Sequence, residues 1–131
     1  MPYDYFAVAP EGSLVFTAGA CPLDTEGRVV AVGDHEGQAR QALANLRAAL
    51  AEAGSSFEHV VKSTVYVVAA DRSELVRTWN IVEETFAPAM PPSTLLGVSL
   101  LGYPDQLVEI EAIAVVPRTT GATPASPRAG R

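Results

Sequence analysis

The chain has 131 residues, of which 48% are hydrophobic and 18% are charged. This length and composition fit one globular domain with its own core, and they exclude a largely disordered protein. Fifteen acidic residues against nine basic ones give a net charge of −6, and the basic residues are scattered along the sequence. Because binding to a phosphate backbone needs clustered positive charge, we expect no nucleic-acid partner.

The remaining composition argues against secretion, membranes and metals. Cys21 is the single cysteine, too few for an internal disulfide framework, and no signal peptide precedes it, so we expect a cytoplasmic protein. No apolar run approaches the roughly 20 residues of a membrane-spanning helix. His35 and His59 have no further ligands at metal-binding spacing, and glycine-rich phosphate loops are absent. We therefore expect neither a metal nor a cofactor.

The first part of the chain predicts short strands followed by a helix. The β-prone runs 4–9 and 13–18 flank a Pro-Glu-Gly turn signal and predict a hairpin, and residues 28–32 predict a further short strand. Asp34 is the expected N-cap of an alanine-rich helix that runs to residue 53 and stops at Gly54.

The second part predicts a strand, a helix and two more strands. Residues 60–68 are dense in β-branched side chains and predict a central strand. Asp71, with Glu74 three residues later, predicts the start of a second helix. The apolar stripe of that helix is Leu75, Trp79, Val82 and Phe86.

The last two predicted strands cover residues 93–99 and 107–116. Residues 1–117 therefore form one predicted domain. The tail, residues 118–131, is too poor in apolar side chains to pack, and we expect it to be disordered.

These elements predict an α+β fold in which two helices cover only one face of a sheet. In the strand 107–116, alternate residues on one side are all apolar, whereas the other side carries Glu109 and Glu111. A monomer would leave the helix-free face as a large exposed apolar patch. A homo-oligomer that packs these faces together would place Glu109 or Glu111 near a subunit boundary.

Several spaced motifs are similar to those of the Rid (RidA/YjgF) family. They lie at residues 16–19, 38–46, 60–67 and 107–114, and the last contains Glu-Ile-Glu-Ala-Ile-Ala. The resemblance spans about residues 5–115 and implies a chorismate-mutase-like fold, a homotrimer and ligand clefts between subunits. In the best-known branch it also implies hydrolysis of reactive enamines and imines, formed by pyridoxal-phosphate enzymes, to 2-oxo acids and ammonia.

The resemblance assigns roles position by position. Glu109 matches the family glutamate that is thought to position or activate water. Tyr5 matches a tyrosine near the N-terminus, and Gly19 matches a glycine whose backbone N–H faces the ligand. Ser93 replaces the family's carboxylate-binding arginine, while Ala18 and Trp79 stand where a serine and an asparagine are usual.

The lost arginine changes the expected ligand. A guanidinium holds a carboxylate by two charge-assisted hydrogen bonds, whereas the hydroxyl of Ser93 offers one neutral donor. The difference is worth about 1.5 to 3 kcal/mol, so the usual 2-imino acids should bind poorly. Lys62 is the nearest substitute cation by sequence. The simpler expectation is a more apolar ligand that lacks the carboxylate and rests against Trp79.

Purely structural interpretations remain open for the same residues. Glu109 could belong to an interface ion pair and Trp79 to the core. Cys21, close to Gly19, could line the cleft or be a small buried apolar residue. Ser93 could simply start a strand, and Glu111, which has no family match, is expected to be structural.

Three functions follow from these residues. The first is an enamine or imine hydrolase in which Glu109 activates water, Gly19 and Ser93 hold the substrate and Tyr5 closes the cleft. The second is a non-catalytic trimer that binds a small metabolite. The third is a ribonuclease, as attached to some relatives, which the net charge of −6 disfavours.

Overall fold

The computed structural model describes residue 7 and residues 10–118, which fold into one four-stranded sheet and two helices. The strands are β1 (Gly12–Phe16), β2 (Val60–Val68), β3 (Ser93–Val98) and β4 (Val108–Pro117), and the helices are α1 (His35–Glu52) and α2 (Arg72–Phe86). The predicted strand at residues 4–9 and the predicted disordered tail lie outside the described residues, apart from residues 7 and 118.

The sheet has the strand order β1-β4-β2-β3. Strand β4 pairs antiparallel with both β1 and β2, whereas β2 and β3 are parallel and are connected through α2. The last two strands of the sequence are therefore not neighbours, because β2 lies between them. This order decides which side chains can meet on the sheet.

Helix α1 begins and ends where its capping residues predict. Asp34 is the N-cap, and its Oδ1 accepts the N–H of Gly37 at 3.0 Å. The helix closes at Ala53, after which Gly54 adopts a left-handed φ of 85° that favours glycine. The buried side of the helix presents small and leucine side chains to the sheet, namely Ala39, Ala42, Leu43, Leu46 and Leu50.

Helix α2 also follows its predicted signals. Asp71 caps it by accepting the N–H of Glu74 at 3.2 Å, and Oε1 of Glu74 in turn accepts the N–H of Ala70 at 2.8 Å. All four residues of the predicted apolar stripe pack in or against the core. Neither helix of the described chain is long and apolar enough to cross a bilayer.

The predicted strand at residues 28–32 is wrong. In its place the structure has a single bridge between Leu23 and Val29. The chain leaves the extended conformation at Ala31, whose φ is 50°, and again at Gly33, whose φ is 79°. A left-handed residue turns the backbone, so no strand can continue through this segment.

The main hydrophobic cluster of the core lies on the face of the sheet that the helices cover. In β4, Val108, Ile110, Ala112 and Ala114 are buried, whereas Glu109, Glu111 and Ile113 alternate with them and are half-buried. An irregularity between Val60 and Lys62 brings Val60 into the core as well. The predicted α+β architecture, with two helices on one face of a mixed sheet, is confirmed. The opposite side is called the helix-free face below.

Candidate functional site

Glu109 and Glu111 share the helix-free face but have different partners. Tyr66 is opposite Glu109 in the register of β2 and β4, and its hydroxyl donates to Oε1 of Glu111 at 2.7 Å. That bond, burial and the charges of both glutamates raise the pKa of Tyr66, so it stays a phenol donor. Glu111 is thus tied to the neighbouring strand, in agreement with its expected structural role.

The carboxylate of Glu109 is held at one oxygen by two neutral donors. Nε2 of Gln106 donates to Oε1 at 3.1 Å, and the thiol of Cys21 donates to the same oxygen at 3.3 Å. Gln106 is only 3% exposed. Within residues 10–118, both hydrogen bonds to this carboxylate therefore end on Oε1.

The other oxygen of Glu109 lies against Gly19. A Cβ atom built on Gly19 would lie 2.1 Å from Oε2 and 2.5 Å from the carboxyl carbon. Real Cβ atoms do not approach so closely, so the carboxylate occupies the space that any side chain at position 19 would need. The structure brings together these two of the predicted site residues.

The approach of Gly19 depends on one extra residue beside β4. The N–H of Thr17 bonds to the carbonyl of Ala112 at 3.0 Å, and Ala20 pairs with Ile110. The chain advances three residues from Thr17 to Ala20, whereas their partners on β4, Ala112 and Ile110, are only two residues apart. The additional residue makes a local bulge at positions 18 and 19, which directs the backbone of Gly19 toward Glu109.

Helix α1 anchors the loop that carries Cys21. The amide of Asn45 donates to the carbonyls of Cys21 and Leu23 at 2.8 and 2.9 Å, and Gln41 donates to Oδ1 of Asn45 at 3.1 Å.

About two turns before Asn45, the fully buried Gln38 fixes the loop that carries Gln106. Its amide donates to the carbonyl of Asp105 at 2.9 Å, and its Oε1 accepts the N–H of Leu107 at 2.7 Å. Polar side chains of one helix therefore secure the loops on both sides of Glu109.

Cys21 is a hydrogen-bond donor rather than a nucleophile. Burial, the bond to Glu109 and the charge of that carboxylate raise the pKa of Cys21 to about 11. The thiol is consequently protonated near neutral pH, and a protonated thiol is a poor nucleophile.

Ser93 is not brought to Glu109 within one chain. It pairs with the fully buried Ser63 across β2 and β3, and the hydroxyls of the two serines are hydrogen-bonded. The hydroxyl of Ser93 also donates to the carbonyl of Pro91 at 3.0 Å. Because directly opposite residues share a face, Ser93 lies on the helix-covered side.

The strand register gives the separation between Ser93 and Glu109. Their partners on β2, Ser63 and Tyr66, are three residues apart, and β2 lies between the two strands. These offsets correspond to about 10 Å along the sheet and about 10 Å across it.

Lys62 lies on the helix-free face beside the strand that begins with Ser93. Its Nζ donates to Oγ1 of Thr94 at 2.7 Å. It also lines a shallow pocket of about 180 Å³ whose other residues are Phe16, Thr17, Thr64, Glu111, Ala112 and Ile113. The pocket contains Glu111 and not Glu109, so Lys62 is not part of the Glu109 site in one chain.

Trp79 lies on the helix-covered side of the sheet, away from the face that carries Glu109. Trp79 is half-buried on α2 and packs against the core between the helices and the sheet. Tyr5 lies outside the described residues, and its predicted role stays a prediction. Among the residues that the structure describes, no three His, Cys, Asp or Glu side chains are close enough together to hold a metal ion.

Sequence reasoning missed the role of Gln106 and left Cys21 between two interpretations. Gln106 is a polar residue immediately before an apolar strand, which is the one signal the sequence offers. Its contact with Glu109 depends on the direction in which the β3–β4 loop returns, and no periodicity encodes that direction.

The fold and the site together define a small α+β protein whose candidate site is a clamped glutamate on the helix-free face of a mixed sheet. A family model described as Endoribonuclease L-PSP matches residues 1–116. The chain belongs to the Rid (RidA/YjgF) family.

Relatives and solved structures agree with this assignment. A RutC family protein from Pyrococcus abyssi is 36% identical over 103 residues, which are 79% of each chain. The 2-iminobutanoate/2-iminopropanoate deaminase of Salmonella typhimurium is 37% identical over 108 residues, 79% of this chain and 80% of the relative. The crystal structure of YyfB, a Rid family protein of unknown function from Yersinia pestis, has a TM-score of 0.79 at 29% identity and covers 87% of this chain and 86% of its own.

Proposed function

We propose that the protein hydrolyses small reactive enamines or imines, with Glu109 as the group that activates water. The observation that carries the proposal is the fixed carboxylate of Glu109, clamped at Oε1 by Gln106 and Cys21 and packed at Oε2 against Gly19. A relative of similar length is named an imine deaminase, which supports this reaction class.

The reaction needs a base that accepts a proton in each of two steps. As water attacks the carbon of the protonated imine, Glu109 accepts a proton and a C–O bond forms, which gives a carbinolamine. The same proton then passes to the nitrogen. As the C–N bond breaks, Glu109 accepts the hydroxyl proton and returns it to the departing ammonia, so a carbonyl compound and ammonium leave. An enamine reaches this route after protonation at its β-carbon. General acid–base catalysis of this kind contributes about 10² to 10⁴ in rate.

The charges around Glu109 select against an anionic substrate. Its two hydrogen-bond donors are an amide and a thiol, both neutral, and the ammonium of Lys62 is bonded to Thr94. Ser93, at the position of the family arginine, bonds to Ser63 and Pro91. A substrate carboxylate beside Glu109 would therefore face a like charge without a compensating cation from the described residues of the same chain. We infer that the substrate lacks a carboxylate next to the reacting carbon.

We further propose that the chain forms a homotrimer with the substrate in clefts between subunits. Phe16, Leu14 and Leu96 lie on the helix-free face and are 68%, 48% and 43% exposed. Large apolar side chains grouped on an uncovered sheet face favour association. The substrate contacts predicted for Ser93 and Trp79 would then have to come from a neighbouring subunit or from a rearranged side chain.

Ammonia release tests the proposal directly. Imines are generated in the assay from paired amine precursors that differ only in an α-carboxylate, and release is followed with and without the protein. We expect catalytic acceleration for the uncharged member of a pair and at least tenfold less for the carboxylate. The absence of acceleration for every imine and enamine would contradict the proposal.

A non-catalytic metabolite-binding trimer is the second candidate, favoured by the absence of a cation among the described hydrogen-bond partners of Glu109. Ligand-induced thermal stabilisation without turnover would support it. The ribonuclease named in the family description is the least favoured, because a net charge of −6 opposes RNA binding. Tight, steeply salt-dependent RNA binding would support the ribonuclease instead.

A further inference from the structure

We propose that Gln106 is a positioning residue that holds the carboxylate of Glu109 in its working orientation, a role that rests on the proposed hydrolase function. Nothing in the sequence motifs assigns a role to this residue. The burial of Gln106 and the direction of its three hydrogen bonds support this role.

The amide of Gln106 has one possible orientation. Its Oε1 accepts the N–H of Tyr103 at 3.1 Å, which fixes the oxygen toward the β3–β4 loop. Nε2 then points to the strand, where it donates to the carbonyl of Val108 and to Oε1 of Glu109, both at 3.1 Å. Because the side chain is 3% exposed, solvent does not compete for these bonds.

This orientation makes the two oxygens of Glu109 unequal. Oε1 receives the amide of Gln106 and the thiol of Cys21, whereas Oε2 lies over Gly19 and receives no bond from the described residues. A carboxylate clamped at one oxygen presents the other in a fixed direction. A catalytic base needs such a direction, since small misplacement of a reacting group costs much of its effect.

The alternative is that Gln106 only closes the β3–β4 loop through Tyr103 and Val108. In that case its loss would change stability but leave Glu109 beside Cys21. The two roles therefore differ in what happens to the environment of the thiol.

Cys21 is a built-in reporter for this difference because it is the chain's single cysteine. After burial, the largest causes of its raised pKa are the hydrogen bond and the charge of Glu109, whereas a side-chain hydrogen bond with Gln106 lowers it. If Glu109 leaves or loses its charge, the pKa of Cys21 falls and its alkylation at pH 8 becomes faster. Lowering the pKa of Cys21 from about 11 to the ordinary 9.0 would raise its alkylation rate about a hundredfold. Glu109 causes only part of the shift, so its removal should raise the rate about three- to tenfold.

The experiment is a double-mutant cycle on the full chain, read by the iodoacetamide alkylation rate of Cys21. We expect Glu109→Gln to accelerate alkylation about three- to tenfold and the double variant to be no faster than Glu109→Gln. Gln106→Met should accelerate alkylation by less, because it also removes the hydrogen bond that lowers the pKa of Cys21. Asn80→Met places the same side chain at an exposed position of α2, away from the loops that hold Glu109, and it should leave the rate unchanged. Gln106→Asn, which is one methylene shorter, serves as the second variant should the methionine variant fail to fold.

Two results would overturn the positioning role. One is an unchanged or slower alkylation rate in Gln106→Met or Gln106→Asn, since loss of Gln106 alone removes a bond that lowers the pKa of Cys21. The other is a double variant whose acceleration is the product of the single ones, which would mean that Gln106 acts on Cys21 by loosening the loop.

The thiol readout needs no substrate, so it separates this proposal from the hydrolase itself. With an active substrate, Gln106→Met should lower kcat at least tenfold while KM changes less than about twofold. An inactive wild-type protein with the predicted alkylation pattern would contradict the hydrolase and support the clamp on Glu109.

Discussion

Two glutamates that look equivalent in the sequence are separated by what their oxygens contact. Glu111 accepts the phenol of Tyr66 at 2.7 Å, whereas Glu109 is clamped by neutral donors from two loops. The bond from Tyr66 to Glu111 links two neighbouring strands of the sheet. The donors to Glu109 come from two loops and hold its half-buried carboxylate in one place. The distinction between the two acids is therefore physical as well as a matter of family resemblance.

Gly19 provides a test of the contact with Glu109. In Gly19→Ala the new Cβ would lie 2.1 Å from Oε2, so the carboxylate must move. We expect at least a tenfold loss of hydrolysis, with a loss of stability of about 1 to 3 kcal/mol from overpacking. Gly102→Ala is the matched control, because no atom lies within 4 Å of its Cβ position. Equal activities of the two variants would show that the position of the carboxylate is unimportant.

The family resemblance predicted part of the site. It assigned Glu109 and Gly19 to one site, and the structure brings these two residues together. It assigned Ser93 to the same site, but Ser93 does not lie beside Glu109 within one chain, because alternation along a strand says nothing about strand order. With β2 between β3 and β4, Ser93 faces Ser63 instead.

Helix α1 has a role beyond packing. Its apolar side covers the sheet, while Gln38, Gln41 and Asn45 bond to loop carbonyls or to each other. Loop backbone groups that are withdrawn from water need such partners. The helix therefore sets the positions of both loops that hold Glu109.

Asn45→Ala should loosen the loop that carries Cys21 without unfolding the domain. It removes two hydrogen bonds to carbonyls, which corresponds to about 1 to 3 kcal/mol of unfolding free energy. Hydrogen exchange should become faster at the amides of residues 19–24. Asn80→Ala, an exposed asparagine on α2, is the control and should change neither quantity. Unchanged exchange in the first variant would refute the anchoring role of α1.

Element boundaries were predictable where a cap or a β-branched run marks them. The starts of both helices were predicted from their caps, Asp34 and Asp71, and the central strand from the β-branched run 60–68. The predicted strand at 28–32 failed because Ala31 adopts a left-handed conformation that its residue type does not indicate. The conformation of that segment is set by the turn at Ala31 and Gly33 rather than by strand propensity.

The whole molecule has one sheet face covered by helices and one that is not. The sequence predicted this imbalance from the number of helices and the apolar residues on both sides of the strands, and the confirmed fold has it. Phe16, which is 68% exposed, lies on the helix-free face opposite Ile113 in the register of β1 and β4. Burying such side chains against other subunits would stabilise an assembly by roughly 25 cal/mol per Å² of apolar surface.

Phe16→Asp should dissociate the assembly, since it places a charge in the proposed interface. Light scattering is expected to give three times the mass of one chain for the wild type and one chain mass for this variant. Val76→Asp introduces the same charge at a 53% exposed position of α2 and should leave the trimer intact. A wild-type protein that is a stable monomer would contradict the trimer and the clefts between subunits.

The measurement that tests the central claim most directly is kcat/KM for ammonia release from an uncharged imine, compared between Glu109→Gln and Glu111→Gln. Both variants remove one negative charge from the same face of the same strand. We predict a loss of at least a hundredfold for Glu109→Gln and less than about threefold for Glu111→Gln. Equal effects of the two substitutions, or full activity in Glu109→Gln, would contradict the assignment of Glu109 as the group that activates water.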